Sequence, residues 1–340
     1  MKVFIRHNTI LDLENAEKIL IIRFSSLGDI LLTTPFLRVL KKKYSKLNID
    51  FLVKSNFIDA IKFNPNLDQV FSWNGEKELS EVINKLKQNN YDFIIDLQNN
   101  YRSKNVVRKI GVSRASYSKP NIKKFLLVQI KLNLLKEKRS IPQRYVDVIP
   151  GLELDGKGLE LFLPDGTEPK INSEKKIIGF APGAFHFTKR WSLEYYEELG
   201  NQLTLDGYQI VIFGGKSDKE ICSKLQNKIS GSIDLSNDNM LFQTAINMQQ
   251  CKLLVCNDSG LMHTAASVQV PVVSIFGSTV QEFGFAPFGV NNLVIENIGL
   301  TCRPCSHIGK ANCKKKHFKC MMELTPQRVY KEIKDLMSKI

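Results

Sequence analysis

Two textures alternate along this chain: short unbroken apolar runs, and longer stretches where apolar residues return every three or four positions. The runs at 18–23 (KILIIR), 49–53, 69–71, 93–97, 177–181, 209–213, 253–256 and 272–276 have strand length and no polar alternation. That is the pattern of strands covered on both faces of a parallel sheet. Helical spacing fills the intervals at 30–44, 58–63, 78–89, 193–205, 219–229 and 240–248; Leu193, Tyr196, Leu199 and Leu203 mark one buried stripe. Pro35 either opens a helix after a Thr34 cap or kinks one begun near Asp29. A last helix is expected over 325–340, with Thr325 as cap and Pro326 in its first turn. Between 161 and 175 the alternation lapses into a polar stretch containing Pro164, Asp165, Gly166, Pro169 and Asn172. The reading is therefore α/β: a first domain over 1–165 (with an extension at 1–17), a linker at 166–175, and a second doubly wound domain over 176–340.

Length and composition fit this division. The chain has 340 residues, 43% hydrophobic and 24% charged, enough for two α/β cores and neither disordered nor membrane-spanning in character. No apolar run reaches the roughly 18 residues of a spanning helix, and charges interrupt 1–17 where a signal peptide needs an apolar core. A cytoplasmic location is expected. Seven cysteines without an export signal favour reduced thiols or a metal site over a disulfide framework.

Charge changes the picture more. The net value is +14, and between 102 and 144 thirteen Lys or Arg stand against the single acid Glu137. Such a concentration attracts nucleic acid, anionic headgroups or phosphorylated glycolipid. Inside it, 125–135 (FLLVQIKLNLL) is apolar between Lys123, Lys124, Lys136, Lys138 and Arg139. A basic amphipathic helix on a membrane surface fits this pattern, and so does a core helix with a solvated lysine face.

Three strand-to-helix turns carry candidate chemistry. Asn257-Asp258-Ser259-Gly260 leaves one apolar run and opens a small-residue helix, so unpaired backbone N–H groups and the helix dipole would seat an anion at the sheet's carboxyl edge. The plainer alternative is that Asp258 or Ser259 only caps the helix. Ser25-Ser26-Leu27-Gly28-Asp29 presents one carboxylate with two hydroxyls and a permissive glycine. Asp29 is a candidate general base, or a helix-start residue without chemistry. The third turn, 181–191 (APGAFHFTKRW), carries Thr188, Lys189 and Arg190, suited to a diphosphate. Gly215-Lys216-Ser217 fails as a Walker loop because position 210 is Ile, and no complete G-x-G-x-x-G occurs.

Together the three segments resemble those of glycosyltransferase family 9, the ADP-heptose:lipopolysaccharide heptosyltransferases. KILIIRFSSLGDILLTTPFLR is similar to the family's amino-terminal segment, APGAFHFTKRWSLEYYEEL to its middle segment and NDSGLMHTAASVQVPVVSIFGST to its donor segment. The resemblance spans 18–329. It implies a GT-B architecture, two Rossmann-like domains facing a cleft, with the acceptor on the first and the nucleotide sugar on the second. By position it implies Asp29 as catalytic base, with Ser25, Ser26 and Gly28 in the acceptor-side loop. Thr188 and Lys189 would meet the donor phosphates, with Lys189 also stabilising the leaving group, and Asp258, Ser259, Gly260, Leu261 and His263 would form the donor turn. Glu220 would match a ribose-binding acid. Ser259 stands where threonine is frequent, which keeps the hydroxyl. The implied reaction is inverting transfer of heptose from ADP-heptose to the lipid A–Kdo inner core, with no required cofactor. The implied partners are an ADP-sugar and an anionic glycolipid at the inner leaflet, on a protein peripheral to the inner membrane. The basic stretch would lie in the acceptor domain.

Cys302, Cys305, Cys313 and Cys320 fall within 19 residues, with His307 and His317 interspersed. The first pair has zinc spacing, so a structural zinc stands beside the reading as reduced thiols. Two rival functions remain in view: a family relative using another nucleotide sugar or acceptor, and a zinc-bearing nucleic-acid-binding protein. Against the latter, the basic stretch and the cysteines lie in opposite halves, and no nucleic-acid module is recognisable.

Overall fold

The computed structural model describes the backbone of residues 3–5, 9–135 and 137–339, and the side chains of 12–135 and 137–339. Lys136 of the basic stretch and Ile340 of the final helix lie outside the described residues, as does part of the 1–17 extension. In chain order the strands are β1 (Val3–Ile5), β2 (Thr9–Leu11), β3 (Lys18–Ile22), β4 (Asn48–Lys54), β5 (Gln69–Trp73), β6 (Phe93–Asp96), β7 (Ser113–Ser116), β8 (Ile177–Ala181), β9 (Gln209–Ile212), β10 (Ile233–Asp234), β11 (Cys251–Asn257), β12 (Val272–Phe276) and β13 (Asn292–Glu296). The helices are α1 (Leu27–Leu31), α2 (Thr34–Lys43), α3 (Glu76–Lys87), α4 (Tyr101–Ile110), α5 (Asn121–Ile130), α6 (Ile141–Val146), α7 (Leu193–Leu205), α8 (Lys219–Gln226), α9 (Leu241–Met248), α10 (Gly260–Ser267), α11 (Lys319–Met322) and α12 (Pro326–Met337).

The chain divides into two compact units. The first holds a five-stranded sheet in the order β5-β4-β3-β6-β7, every pair parallel. β1 and β2 pair antiparallel apart from it. The second holds a six-stranded parallel sheet in the order β10-β9-β8-β11-β12-β13. In both, the chain starts mid-sheet, builds outward, then returns to the other side. The order reverses between β3 and β6 in one and between β8 and β11 in the other, and crevices open at the carboxyl ends there.

Burial explains the apolar runs. Ile19 to Ile22 of β3 and Leu253 to Cys256 of β11 are completely buried, since helices cover both faces of each sheet. In the second unit Trp191, Tyr196, Leu199 and Leu203 pack on β8 and β11 side chains, joined by Val329 and Ile333 of α12. The helix expected over 30–44 is two helices: α1 ends at Leu31 and Pro35 sits in the first turn of α2. The segment 58–63 forms a 3₁₀ turn over Ser55–Ala60 instead of an α-helix.

The division departs from the expected boundaries: the second unit begins at 163, so the expected linker at 166–175 lies within it, and it also takes an earlier segment. The first unit takes 1–119 and 141–162, and the second takes 120–140 and 163–340. Leu127 and Leu135 cluster with Val280 and Phe283, and Lys131 Nζ donates to the carbonyls of Cys302 and Pro304 at 3.2 and 2.7 Å. Half of the basic stretch thus belongs with the second unit, not with the first. The helix expected over 125–135 is α5, displaced toward the amino end. It stops where Lys131 turns left-handed, with φ +61°.

Candidate active site

At the switch point of the first sheet, β3 delivers Arg23 and the Ser25–Asp29 turn, and β6 delivers Asp96 to Asn99. Arg23 is buried. Its Nη2 lies 2.5 Å from Asp29 Oδ1, its Nη1 donates to the Leu97 carbonyl at 2.8 Å, and the guanidinium sits 6.0 Å from the Tyr145 ring centroid. Asp29 Oδ2 accepts from the backbone N–H and hydroxyl of Ser26, at 3.1 and 2.8 Å. Asp29 is thus the third residue of α1 and closes a capping box with Ser26, the N-cap, and it also carries a charge partner that a capping box does not need. Burial pushes its carboxyl up. The Arg23 charge and the Ser26 hydrogen bonds outweigh that and hold it below the usual carboxylate range. The side chain keeps 19% exposure.

The loop opposite is tied to the same turn. Gln98 Oε1 accepts from the Phe24 N–H at 2.9 Å, and the buried Asp96 carboxylate accepts from the N–H groups of Gln98 and Asn99 and from the Ser103 hydroxyl. Burial raises Asp96 despite these bonds. Lys119 is lowered, first by burial and then by the Arg23 charge, while Asp29 and Asp96 pull the other way. These groups form one electrostatic cluster around Asp29.

The other switch point, in the second sheet, is built from different parts. Buried Asn257 ends β11; its Nδ2 donates to the Pro182 carbonyl at 2.7 Å and its Oδ1 accepts the Trp191 N–H at 3.0 Å, joining the turns after β8 and β11. Ser259 caps α10 in extended conformation, and its buried Oγ has no hydrogen-bond partner. The first-turn N–H groups of α10, beginning with Gly260 and Leu261, have no intrahelical acceptor. Lys189 Nζ lies 2.7 Å from Asp258 Oδ2, which also accepts from Thr279 Oγ1 at 2.7 Å. Asp258 thus orients the lysine and has no spare role as an anion ligand. His263 is buried one turn into α10.

Two expected donor residues lie elsewhere in function or place. Thr188 is 1% exposed; its hydroxyl accepts from the Lys310 N–H at 2.8 Å and its remaining contacts are Ser278 Oγ and the Lys310 carbonyl. That hydroxyl pins the 306–310 loop and is closed to a ligand. Glu220 is 79% exposed and ion-paired to Lys224 at 2.6 Å. Asp218 lies beside the turn after β8: it accepts the Gly215 N–H at 3.1 Å, and a Cβ placed on Gly183 would sit 2.4 Å from its carboxyl carbon. Neither Asp218 nor Arg23 stands out in the sequence. Asp218 sits two positions before the more conspicuous Glu220, and Arg23 reads as the polar end of an apolar run.

Among the described residues no group of three or more His, Cys, Asp or Glu is arranged to hold a metal ion. Cys302, Cys305, Cys313 and Cys320 nevertheless lie close enough together to bear on one another's charge. Cys320 is buried in α11, where burial pushes its thiol up to about 12, and the Cys302 Sγ lies 3.8 Å from His317 Nε2. All seven cysteines are free thiols.

Two Rossmann-like parallel sheets, each with a polar switch point, are the units of a GT-B fold. Residues 79–316 match the model of glycosyltransferase family 9 (heptosyltransferase), and the chain belongs to that family. It is 26% identical to lipopolysaccharide heptosyltransferase 2 of Salmonella typhimurium, across 94% of this chain and 99% of that one. Among solved structures, a family 9 glycosyl transferase from Veillonella parvula superposes with TM-score 0.79, at 23% identity and covering 97% and 99% of the two chains. The ADP-heptose lps heptosyltransferase II of E. coli superposes with TM-score 0.73, at 25% identity and covering 95% and 99%.

Proposed function

We propose that this enzyme transfers heptose from ADP-heptose to the lipopolysaccharide inner core, with inversion at the anomeric carbon and Asp29 as general base. The observation that carries the reading is the switch point of the six-stranded sheet: an open helix N-terminus, an unpartnered Ser259 hydroxyl and a lysine fixed by a buried carboxylate. That combination suits the diphosphate of a nucleotide sugar. Names of the relatives point the same way, to heptose, ADP-heptose and lipopolysaccharide.

In the first unit, Asp29 stays ionised near neutral pH because Arg23 and Ser26 favour its charged form. It takes the proton of an acceptor hydroxyl as that oxygen attacks the anomeric carbon. Its low basicity suits a late transfer, when bond formation has already made the hydroxyl acidic. On the donor side, charge developing on the departing ADP is met by Lys189 and by the N–H groups at the start of α10, with Ser259 Oγ donating to a phosphate oxygen. Asp258 and Thr279 hold Lys189 in place. The reaction so described needs no metal. The acceptor is the lipid A–Kdo core, an anionic glycolipid, and the enzyme works in the cytoplasm at the inner leaflet. No helix among the described residues is long and apolar enough to cross a membrane.

The test is transfer itself. Purified enzyme with ADP-heptose and a heptose-free inner-core acceptor should give product of inverted anomeric configuration. A thermal-stability screen of ADP-, UDP- and GDP-sugars should single out the ADP compound, since ligand at about 100 times its dissociation constant adds roughly 2.7 kcal/mol. Stabilisation by UDP- or GDP-sugars alone would refute the donor assignment.

A further inference from the structure

The helix α5 leaves three of its large apolar side chains outward. Leu127 turns inward against Val280 and Phe283, with Val128 and Phe285 beside them. Ile122, Phe125 and Ile130 are 77%, 62% and 63% exposed, and with half-buried Leu126 they recur at the three- and four-residue intervals of one helix face. Leu132 and Leu134, just past the helix, are exposed as well. A surface helix in a soluble unit ordinarily shows water its polar face. Here the inward side holds Lys124 and Lys131: Lys124 Nζ lies 5.8 and 5.5 Å from the Phe283 and Phe285 ring centroids, and Lys131 is bonded to the 302–304 backbone. Two cations anchor the segment while five large apolar side chains face solvent.

Charge selects the occupant. The stretch 120–140 contains six Lys or Arg and one acid, Glu137, with Lys123 and Lys138 exposed on either side of the apolar residues. A second copy of this chain would bring the same positive rim against itself, which opposes pairing. Nucleic acid would meet the charge but gain little from aliphatic Ile and Leu. An anionic bilayer satisfies both, taking apolar side chains below its headgroups and lysines among them.

We propose that the outward face of α5 and the 132–134 segment dock the nucleotide-sugar-binding unit onto an anionic lipid surface. The membrane contact is thereby made by the second unit, through Ile122, Phe125, Ile130, Leu132 and Leu134. It requires no sugar substrate and is separable from the transfer reaction.

The experiment is flotation of the full-length protein with lipid vesicles, either zwitterionic or containing about 30 mol % phosphatidylglycerol. Wild type should bind the anionic vesicles at least about tenfold more tightly than the neutral ones. I122S/F125S/I130S should lose about tenfold or more of that binding, and K123E/K138E should lose a similar amount. Because these side chains are exposed, both variants should keep the wild-type thermal midpoint and its shift with ADP. Equal binding of wild type to both vesicle types, or undiminished binding by the serine variant, overturns the proposal. So does a wild-type dimer in sedimentation that the serine variant converts to monomer, since a second copy would then own the face. None of these readouts uses heptose transfer, so vesicle binding can fail while the proposed activity stands, and the reverse.

Discussion

In the first unit, charge at the sheet's switch point comes from side chains: Asp29 held by buried Arg23, with Asp96 and Lys119 in the same field. In the second, the switch point offers backbone N–H groups at the start of α10 and a cation, Lys189, whose position Asp258 and Thr279 fix. Equivalent places in two similar sheets thus have opposite construction. A site meant to move a proton needs a titratable group whose pKa its neighbours can set. A site meant to hold a diphosphate needs donors that never change protonation and barely move. If the proposed roles hold, the first site should be fragile to single side-chain changes and the second more tolerant, since no substitution removes its backbone donors.

The largest expected effect breaks the first site alone. Asp29→Asn should lower kcat by about 10²–10⁴, read in a steady-state transfer assay with saturating donor. Lys189→Met should cost somewhat less, about 10²–10³ in kcat, because the α10 donors remain; a residual rate equal to that of Asp29→Asn would argue against this tolerance. Thr188→Val should reduce stability by about 1–3 kcal/mol in urea unfolding, since the Lys310 N–H loses its buried acceptor, while ADP affinity stays within about twofold, as expected for a residue that touches no ligand. Ser259→Ala reverses that pattern. A capping serine usually contributes about 1 kcal/mol, but this one bonds to nothing, so stability should hold while ADP binding weakens by about tenfold.

The smallest effect concerns pH. Asp29 is depressed in the folded state, so its contribution to stability is complete above the unfolded carboxyl value of about 3.9 and is lost as pH falls through the lower folded value. The stability gap between wild type and Asp29→Asn should therefore be flat from neutral pH to about 5 and close below about 4. Urea titrations across that range would show it, and a gap that widens on acidification would contradict the assigned direction.

What is legible in the sequence divides along the same line. Strands such as Ile177–Ala181 and Val272–Phe276, and helix Leu193–Leu205, can be read to the residue because their burial is written in hydrophobic period. β7 and β10 cannot: SRAS and ID at sheet edges carry no apolar run. Asp29 and Lys189 are visible as charges at turns. Their partners are not, since Arg23 pairs with Asp29 through a bend of the chain and Asp258 reaches Lys189 across 69 positions of sequence. The membership of 120–140 in the second unit is illegible for a similar reason, because Leu127 meets Phe283 only in three dimensions. Thr188 is misread from sequence because a hydroxyl that binds phosphate and one that pins a loop are there identical.

The division of labour between the two switch points is tested most directly by calorimetric titration of ADP into wild type, Asp29→Asn and Lys189→Met. Asp29→Asn should bind ADP with wild-type affinity although its turnover is lost, and Lys189→Met should bind about tenfold or more weakly. If Asp29→Asn weakens ADP as much as Lys189→Met does, the carboxylate belongs to the nucleotide site and its assignment as proton acceptor fails.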